Sequence, residues 1–199
     1  EFELAANSDG SIPEIMSAFS ERNVRADAKA FASLMKYIRK ADGSEGTVIM
    51  VQVENEIGML GDARDHSKLA QNAYNSPVPY DMMYMLTSGK ANDHINDVWK
   101  TAGKATTGAW KDVFGSSLDE IFMAYWYARY TERVAAAGKA EYDIPMFVNT
   151  ALNSRGRKAG EYPSAGPLAH LMPIWKTVAP SIDLICPDFR DIQRSYDFL

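Results

Sequence analysis

Glu54, Asn55 and Glu56 close the run TVIMVQVENEIG, in which aliphatic residues give way abruptly to two carboxyls flanking a carboxamide. Charged residues at the carboxyl end of an apolar strand stand where parallel α/β architectures do their chemistry. The plainer reading is a strand that surfaces here and ion-pairs with arginine. Period-two alternation along 48–56 puts Val48, Met50, Gln52, Glu54 and Glu56 on one side and Ile49, Val51, Val53 and Asn55 on the other. Ile49, Val51 and Val53 suit packing against covering helices, whereas Gln52, Glu54 and Glu56 become more polar toward the carboxyl end. Strict alternation separates Asn55 from Glu56, so both reach one ligand only if the strand end bulges or twists.

The elements that must position this tip follow from patterning. Phe31, Leu34, Met35 and Ile38 recur at helical spacing, predicting an amphipathic helix over 27–40 that Asp42 and Gly43 end. Residues 48–53 read as a strand buried on at least one face. Beyond Gly58 lies a long excursion with short amphipathic pieces around Met82 to Leu86 and Ile95 to Trp99. A long helix is expected to open at Ser117, whose spacing to Glu120 fits a capping box, and to run to Gly138. Residues 144–150 and 182–187 read as further strands, and between them Pro167, Leu168, Leu171, Trp175 and Val178 predict a helix that Pro180 stops. Apolar strands alternating with helices imply α/β architecture with parallel pairing. Three strands are convincing, and 2–5 would be the end of a fourth.

Composition narrows the function classes. The 199 residues are 46% hydrophobic and 24% charged, as expected of a globular chain with a core. A net charge of -5 without a long basic cluster argues against nucleic acid or an anionic membrane surface as partner, and a neutral polar ligand stays open. The single cysteine, Cys186, excludes an intrachain disulfide framework and a cysteine-based zinc site. No apolar run is long enough for a membrane span, and residues 1–20 have no signal-peptide pattern, which leaves the compartment open. A start at Glu1 is expected of a processed product or of a piece of a longer protein.

VQVENEIG closely resembles the QxENEYG signature of the family 35 glycoside hydrolases, the β-galactosidase family of the retaining (β/α)8-barrel clan. TVIMVQVENEIGMLGDARDHS, DEIFMAYWYARYTERVAAAGKAEYDIPMFVN and YPSAGPLAHLMPIWKTVAPSIDLICPDF are similar to a bacterial branch of that family. The resemblance implies that residues 1–199 are a fragment of one barrel catalytic domain, from strand three or four to strand six. Such a barrel takes about 250 residues when whole. It further implies that Glu56 is the general acid/base and that Asn55 hydrogen-bonds the sugar 2-hydroxyl, with Glu54 in a supporting role. Asn149 ends the next strand and Asp188 follows the one after it, both on the face where a sugar would bind; helix capping is their plain alternative.

Retaining hydrolysis also needs a nucleophilic carboxylate about 5–5.5 Å from the acid/base. The resemblance puts it on strand seven, beyond Leu199, so the isolated chain is expected to be inactive and to depend on the remainder of the barrel. The branch commonly carries a tyrosine after the Pro-Asp of strand six, where this sequence has Phe189 and Arg190. A non-catalytic carbohydrate-binding or scaffold module and a transglycosidase are the alternatives. No cofactor is implied.

Trp110 and Phe114 are candidates for a sugar-stacking platform, with packing as their plain alternative. Trp126, Tyr127 and Tyr130 read as core or interface, and His170 as structural. Asp62, Asp65 and His66, like Asp93, His94 and Asp97, lack the spacing of a known metal-binding loop, and no metal site is expected.

Overall fold

A computed structural model describes residues 2–153 and 156–188. Three parallel strands lie in the order of the sequence: β1 (Val51–Gln52), β2 (Met146–Thr150) and β3 (Leu184–Pro187). Val51 pairs with Met146 and Gln52 with Phe147, while Phe147 through Thr150 pair with Leu184 through Pro187. Seven α-helices are present among the described residues: α1 (Glu21–Asp42), α2 (Lys68–Tyr74), α3 (Tyr80–Thr87), α4 (Asp93–Thr101), α5 (Trp110–Phe114), α6 (Asp119–Glu141) and α7 (Met172–Val178). The architecture is α/β, with parallel strands and covering helices.

Helix α1 begins earlier than its periodic stripe, because the Ser20 side chain accepts from the Asn23 N–H and Glu21 adds charge to the first turn. Met35 is fully buried at the centre of its inner face, but Leu34 is exposed, so the apolar stripe is narrower than periodicity predicts. Against α1 lies α6, and Gly138 permits the close approach. A Cβ there would run into the ring of Phe31 from α1 and come within 3.0 Å of the Met146 side chain from β2. Trp110, Trp175, Tyr125, Phe114 and Phe122 are among the largest fully buried side chains. Each contributes on the order of 2–3 kcal/mol through burial.

Several boundaries differ from the sequence expectation for identifiable reasons. Ladder pairing in the first strand is limited to Val51 and Gln52, with the Val53 N–H adding one bond to the Phe147 carbonyl at 2.8 Å. Ile49 is 69% exposed and Met50 is also exposed, so the apolar stretch before β1 is not covered by helices among the described residues. Residues 2–5 do not join the parallel sheet. Leu4 instead makes an antiparallel bridge with Met16, and the Ala5 N–H donates to the Ile15 carbonyl.

Helix α6 opens at Asp119, after a 3-10 turn over Gly115–Ser117, and has no side-chain cap. The capping box expected of Ser117 and Glu120 is absent because the Glu120 carboxylate is engaged elsewhere. Its partners are the Tyr162 hydroxyl at 2.9 Å, the Ala165 N–H at 3.2 Å and His170 Nε2 at 3.0 Å. The helix expected from Pro167 begins at Met172, with Pro173 in its first turn.

Candidate functional site

Alternation along β2 buries Met146, Val148 and Thr150 and leaves Phe147 and Asn149 on the opposite, half-buried face. Parallel register brings Gln52 beside Phe147 and thus near Asn149. Gln52 Nε2 donates to Asn149 Oδ1 at 3.1 Å, to Asn55 Oδ1 at 3.2 Å and to the Glu54 carbonyl at 2.9 Å. Asn149 uses its whole amide here: Oδ1 also accepts from the Glu56 N–H at 2.8 Å, and Nδ2 donates to Asn55 Oδ1 at 3.1 Å.

These bonds hold an unusual backbone. Glu54 and Glu56 both adopt positive φ, 59° and 48°, the left-handed region that residues other than glycine, asparagine and aspartate seldom occupy. Strand alternation therefore stops at Val53. Two left-handed residues alternating with Asn55 form the turn that brings the Asn55 side chain and the Glu56 backbone onto the same partner, Asn149. Such strain persists only where surrounding bonds fix it, and it concentrates at functional sites.

The turn opens onto a cavity of about 350 Å³ at the carboxyl end of β1. Glu54, Asn55, Glu56, Ile57 and Gly58 form one wall, Glu14, Ile15, Met16 and Ala18 another, and Tyr127 and Tyr130 of α6 the third. The amino-terminal segment is tied down beside it through Asp65. That carboxylate accepts from the Ala6 N–H at 3.0 Å and from the Ser17 hydroxyl at 2.6 Å. Asp62 accepts from the Ser8 N–H at 2.9 Å, and His66 Nε2 lies 3.4 Å from it. These aspartates therefore act as ties between segments.

Two loops meet just beyond this turn. Met59 and Ser164 exchange backbone hydrogen bonds of 2.9 and 3.0 Å, joining the loop after β1 to the loop after β2. The contact requires glycine at Gly58, where a Cβ would stand 2.6 Å from the Pro163 carbonyl carbon. Gly166 is equally confined, since its Cβ would meet the Ile57 carbonyl oxygen at 2.5 Å.

Burial is the main cause that raises the proton affinity of Glu54, followed by the charge of Asp27 and a hydrogen bond to it; together they push its pKa up to about 8. The charged neighbour that adds to burial is thus a second carboxyl, that of Asp27 on α1.

Of the predicted site residues, Glu54, Asn55 and Glu56 line the cavity and Asn149 braces the turn that carries them. Asp188 lies beyond β3, where its N–H donates to the Thr150 carbonyl at 3.0 Å, and it is not part of the cavity wall. Trp110 and Phe114 are fully buried and stacked on one another, so they provide no platform for a sugar. Phe189 and Arg190 lie outside the described residues.

Sequence reasoning missed Asp27 and the wall formed by Glu14 to Ala18. It read Tyr127 and Tyr130 as core or interface; both are buried, yet both face the cavity. Their helical spacing of three toward the strand tip was the available signal. No protein-family model matches this chain, and no curated protein is significantly similar to it.

Proposed function

We propose that the chain is part of a (β/α)8-barrel glycoside hydrolase that cleaves terminal β-galactosides or related β-glycosides with retention. Glu56 serves as general acid/base and Asn55 orients the sugar. The observation that carries this reading is the left-handed turn at the carboxyl end of a parallel strand, which presents Asn55 and Glu56 to one cavity under the control of Asn149. In (β/α) barrels the chemistry is done at that end of the strands. Parallel strands in sequence order are compatible with consecutive barrel strands.

On this reading Glu56 gives its proton to the glycosidic oxygen as the bond to the anomeric carbon breaks. A second carboxylate, on a further strand of the barrel, takes that carbon as a covalent ester. Water then attacks the anomeric carbon while Glu56 removes its proton, and the ester is released with retained configuration. Asn55 fits the role of a donor to the hydroxyl next to the anomeric centre, where hydrogen bonding strengthens in the transition state.

The test uses the full gene product with Glu56→Ala and an aryl β-galactoside whose leaving group needs no protonation. Formation of the glycosyl-enzyme should be largely retained while its hydrolysis slows by about 100-fold or more, and added azide should restore turnover and yield a β-galactosyl azide. Wild-type protein without turnover of any aryl β-glycoside, or a Glu56→Ala rate equal to wild type, would sink the assignment.

A further inference from the structure

Helix α3 has an inner face of Met82, Met85 and Leu86, all buried, and an outer face that carries Tyr80 and Tyr84 one turn apart. Tyr80 is 82% exposed, and the two rings stack nearly in parallel with centroids 6.2 Å apart. The helix ends in a tight turn that Gly89 allows through a φ of 75°, and the Lys90 N–H donates back to the Met85 carbonyl at 3.1 Å. That turn folds Lys90 over Tyr84, with Nζ 4.9 Å from the ring centroid. Helix α7 packs against α3 and supplies the facing wall through Met172, Pro173 and Lys176. Asn92 ties the two sides together: Oδ1 accepts from the Ile95 N–H at 3.1 Å, capping α4, and Nδ2 donates to the His170 carbonyl at 3.1 Å, just ahead of α7.

The groove between these helices measures about 740 Å³, within the ordinary range of ligand sites, and shares no wall residue with the cavity at the strand tip. Among the described residues, neither Lys90 nor Lys176 has an ion-pair partner, and neither tyrosine hydroxyl has a hydrogen bond. Asp81, the one carboxyl on the wall, already accepts from the Tyr125 hydroxyl of α6 at 3.4 Å. An exposed aromatic face suits the C–H face of a pyranose, and an unpaired ammonium suits a carboxylate. Two cations against one carboxyl, on a chain of net charge -5, fit a short ligand with few charges and not a nucleic-acid strand.

We propose that this groove is a second carbohydrate site, one that takes a short acidic oligosaccharide, with Tyr80 stacking on a sugar ring and Lys90 and Lys176 holding its carboxylates. Its walls come from helices and the turns beside them, and no residue of β1, β2 or β3 lines it. With a single carboxyl it lacks the pair that glycoside cleavage needs, so it holds the saccharide and does not cut it. The inference rests on the chemistry of these side chains and not on the glycosidase reading.

Calorimetric titration of the full gene product tests it with a galacturonic acid trimer and the fully methyl-esterified trimer, which has the same rings without the charge. The acid should bind about tenfold more tightly than the ester, and added salt should weaken the acid alone. Lys90→Gln combined with Lys176→Gln should remove this preference, and Tyr80→Ala should weaken both ligands by about fivefold. All three side chains are exposed, so the variants should keep the wild-type midpoint in urea. Glu56→Ala should bind the acid trimer as tightly as wild type. Equal affinity for acid and ester, no binding of either, loss of binding in Glu56→Ala, or a preference that survives the lysine and tyrosine substitutions would overturn the second site. A polyglutamate peptide that binds more tightly than the trimer would also overturn it and reassign the groove to an acidic protein segment. Failure of β-galactoside turnover with trimer binding intact would remove the proposed hydrolysis and leave this groove standing.

Discussion

Glu54 and Glu120 are two glutamates withdrawn from solvent in one chain, and their surroundings drive them in opposite directions. Burial raises the pKa of both. For Glu54 the neighbour is another carboxyl, which reinforces burial. For Glu120 the hydrogen bond and charge of His170, with the Ala165 N–H and the Tyr162 hydroxyl, outweigh burial and hold the carboxyl below the usual glutamate range. One site thus favours a proton and the other a charge. The pair teaches that the fate of a buried acid is decided by whether its neighbours donate or compete, and not by the depth of burial.

The sharpest way to break this contrast is to remove the donors' acceptor. Glu120→Ala leaves an N–H, a hydroxyl and an imidazole facing an apolar gap. It should cost about 2–3 kcal/mol in urea unfolding at neutral pH. The sign of the pH effect follows from a pKa below the ordinary value of 4.5. The contribution of Glu120 is present above that value and is lost as acidification protonates the folded state. A Glu120→Ala protein as stable as wild type at neutral pH would show that the three contacts hold nothing.

Asn149→Ala should come next, at about 1–2 kcal/mol, because it strips the Glu56 N–H and the Asn55 carboxamide of their shared partner. Hydrogen exchange should report faster opening at residues 54–56 than at β3. Uniform acceleration across both would mean that Asn149 supports the sheet and not the turn.

A pH effect of the opposite sense to that of Glu120 is expected from Glu54→Gln. In the wild type a folded pKa of about 8 stands above the ordinary 4.5, so the folded state binds the extra proton between these values. Stability assigned to Glu54 is complete below the lower value and declines as pH rises through the upper one. Glu54→Gln should flatten that decline and leave the variant more stable than wild type at about pH 9. Parallel pH profiles for the two proteins would erase the distinction between the two glutamates.

Legibility in the sequence followed the range of the interactions involved. Helical spacing of Phe31, Met35 and Ile38 located α1, and β-branched or aliphatic runs located β1, β2 and β3, because both signals are local. Glu54, Asn55 and Glu56 drew notice as polar residues ending an apolar strand, and a break in alternation was expected once the family resemblance assigned Asn55 and Glu56 to one sugar. What periodicity does not encode is which distant carboxyls meet. Glu120 carried a plausible local role as a capping-box partner, and a tertiary set of donors outcompeted it. Asp27 lies past the first turn of α1, and nothing in its local sequence distinguishes it from an ordinary acid on a solvated helix face. Trp110 and Phe114 failed as a platform for a similar reason, since the sequence does not state which face of a short helix the core will claim.

Gly58 and Gly166, each too close to a neighbouring backbone to accept a side chain, join the loop after β1 to the loop after β2 across the Met59 and Ser164 bridge. As a result, the rim of the cavity cannot be remodelled one loop at a time. Lengthening or shifting either loop would pull its partner and, through Ile57, the adjacent Glu56. Variation in ligand preference at this mouth would therefore require coordinated change in two segments separated by about a hundred residues of chain.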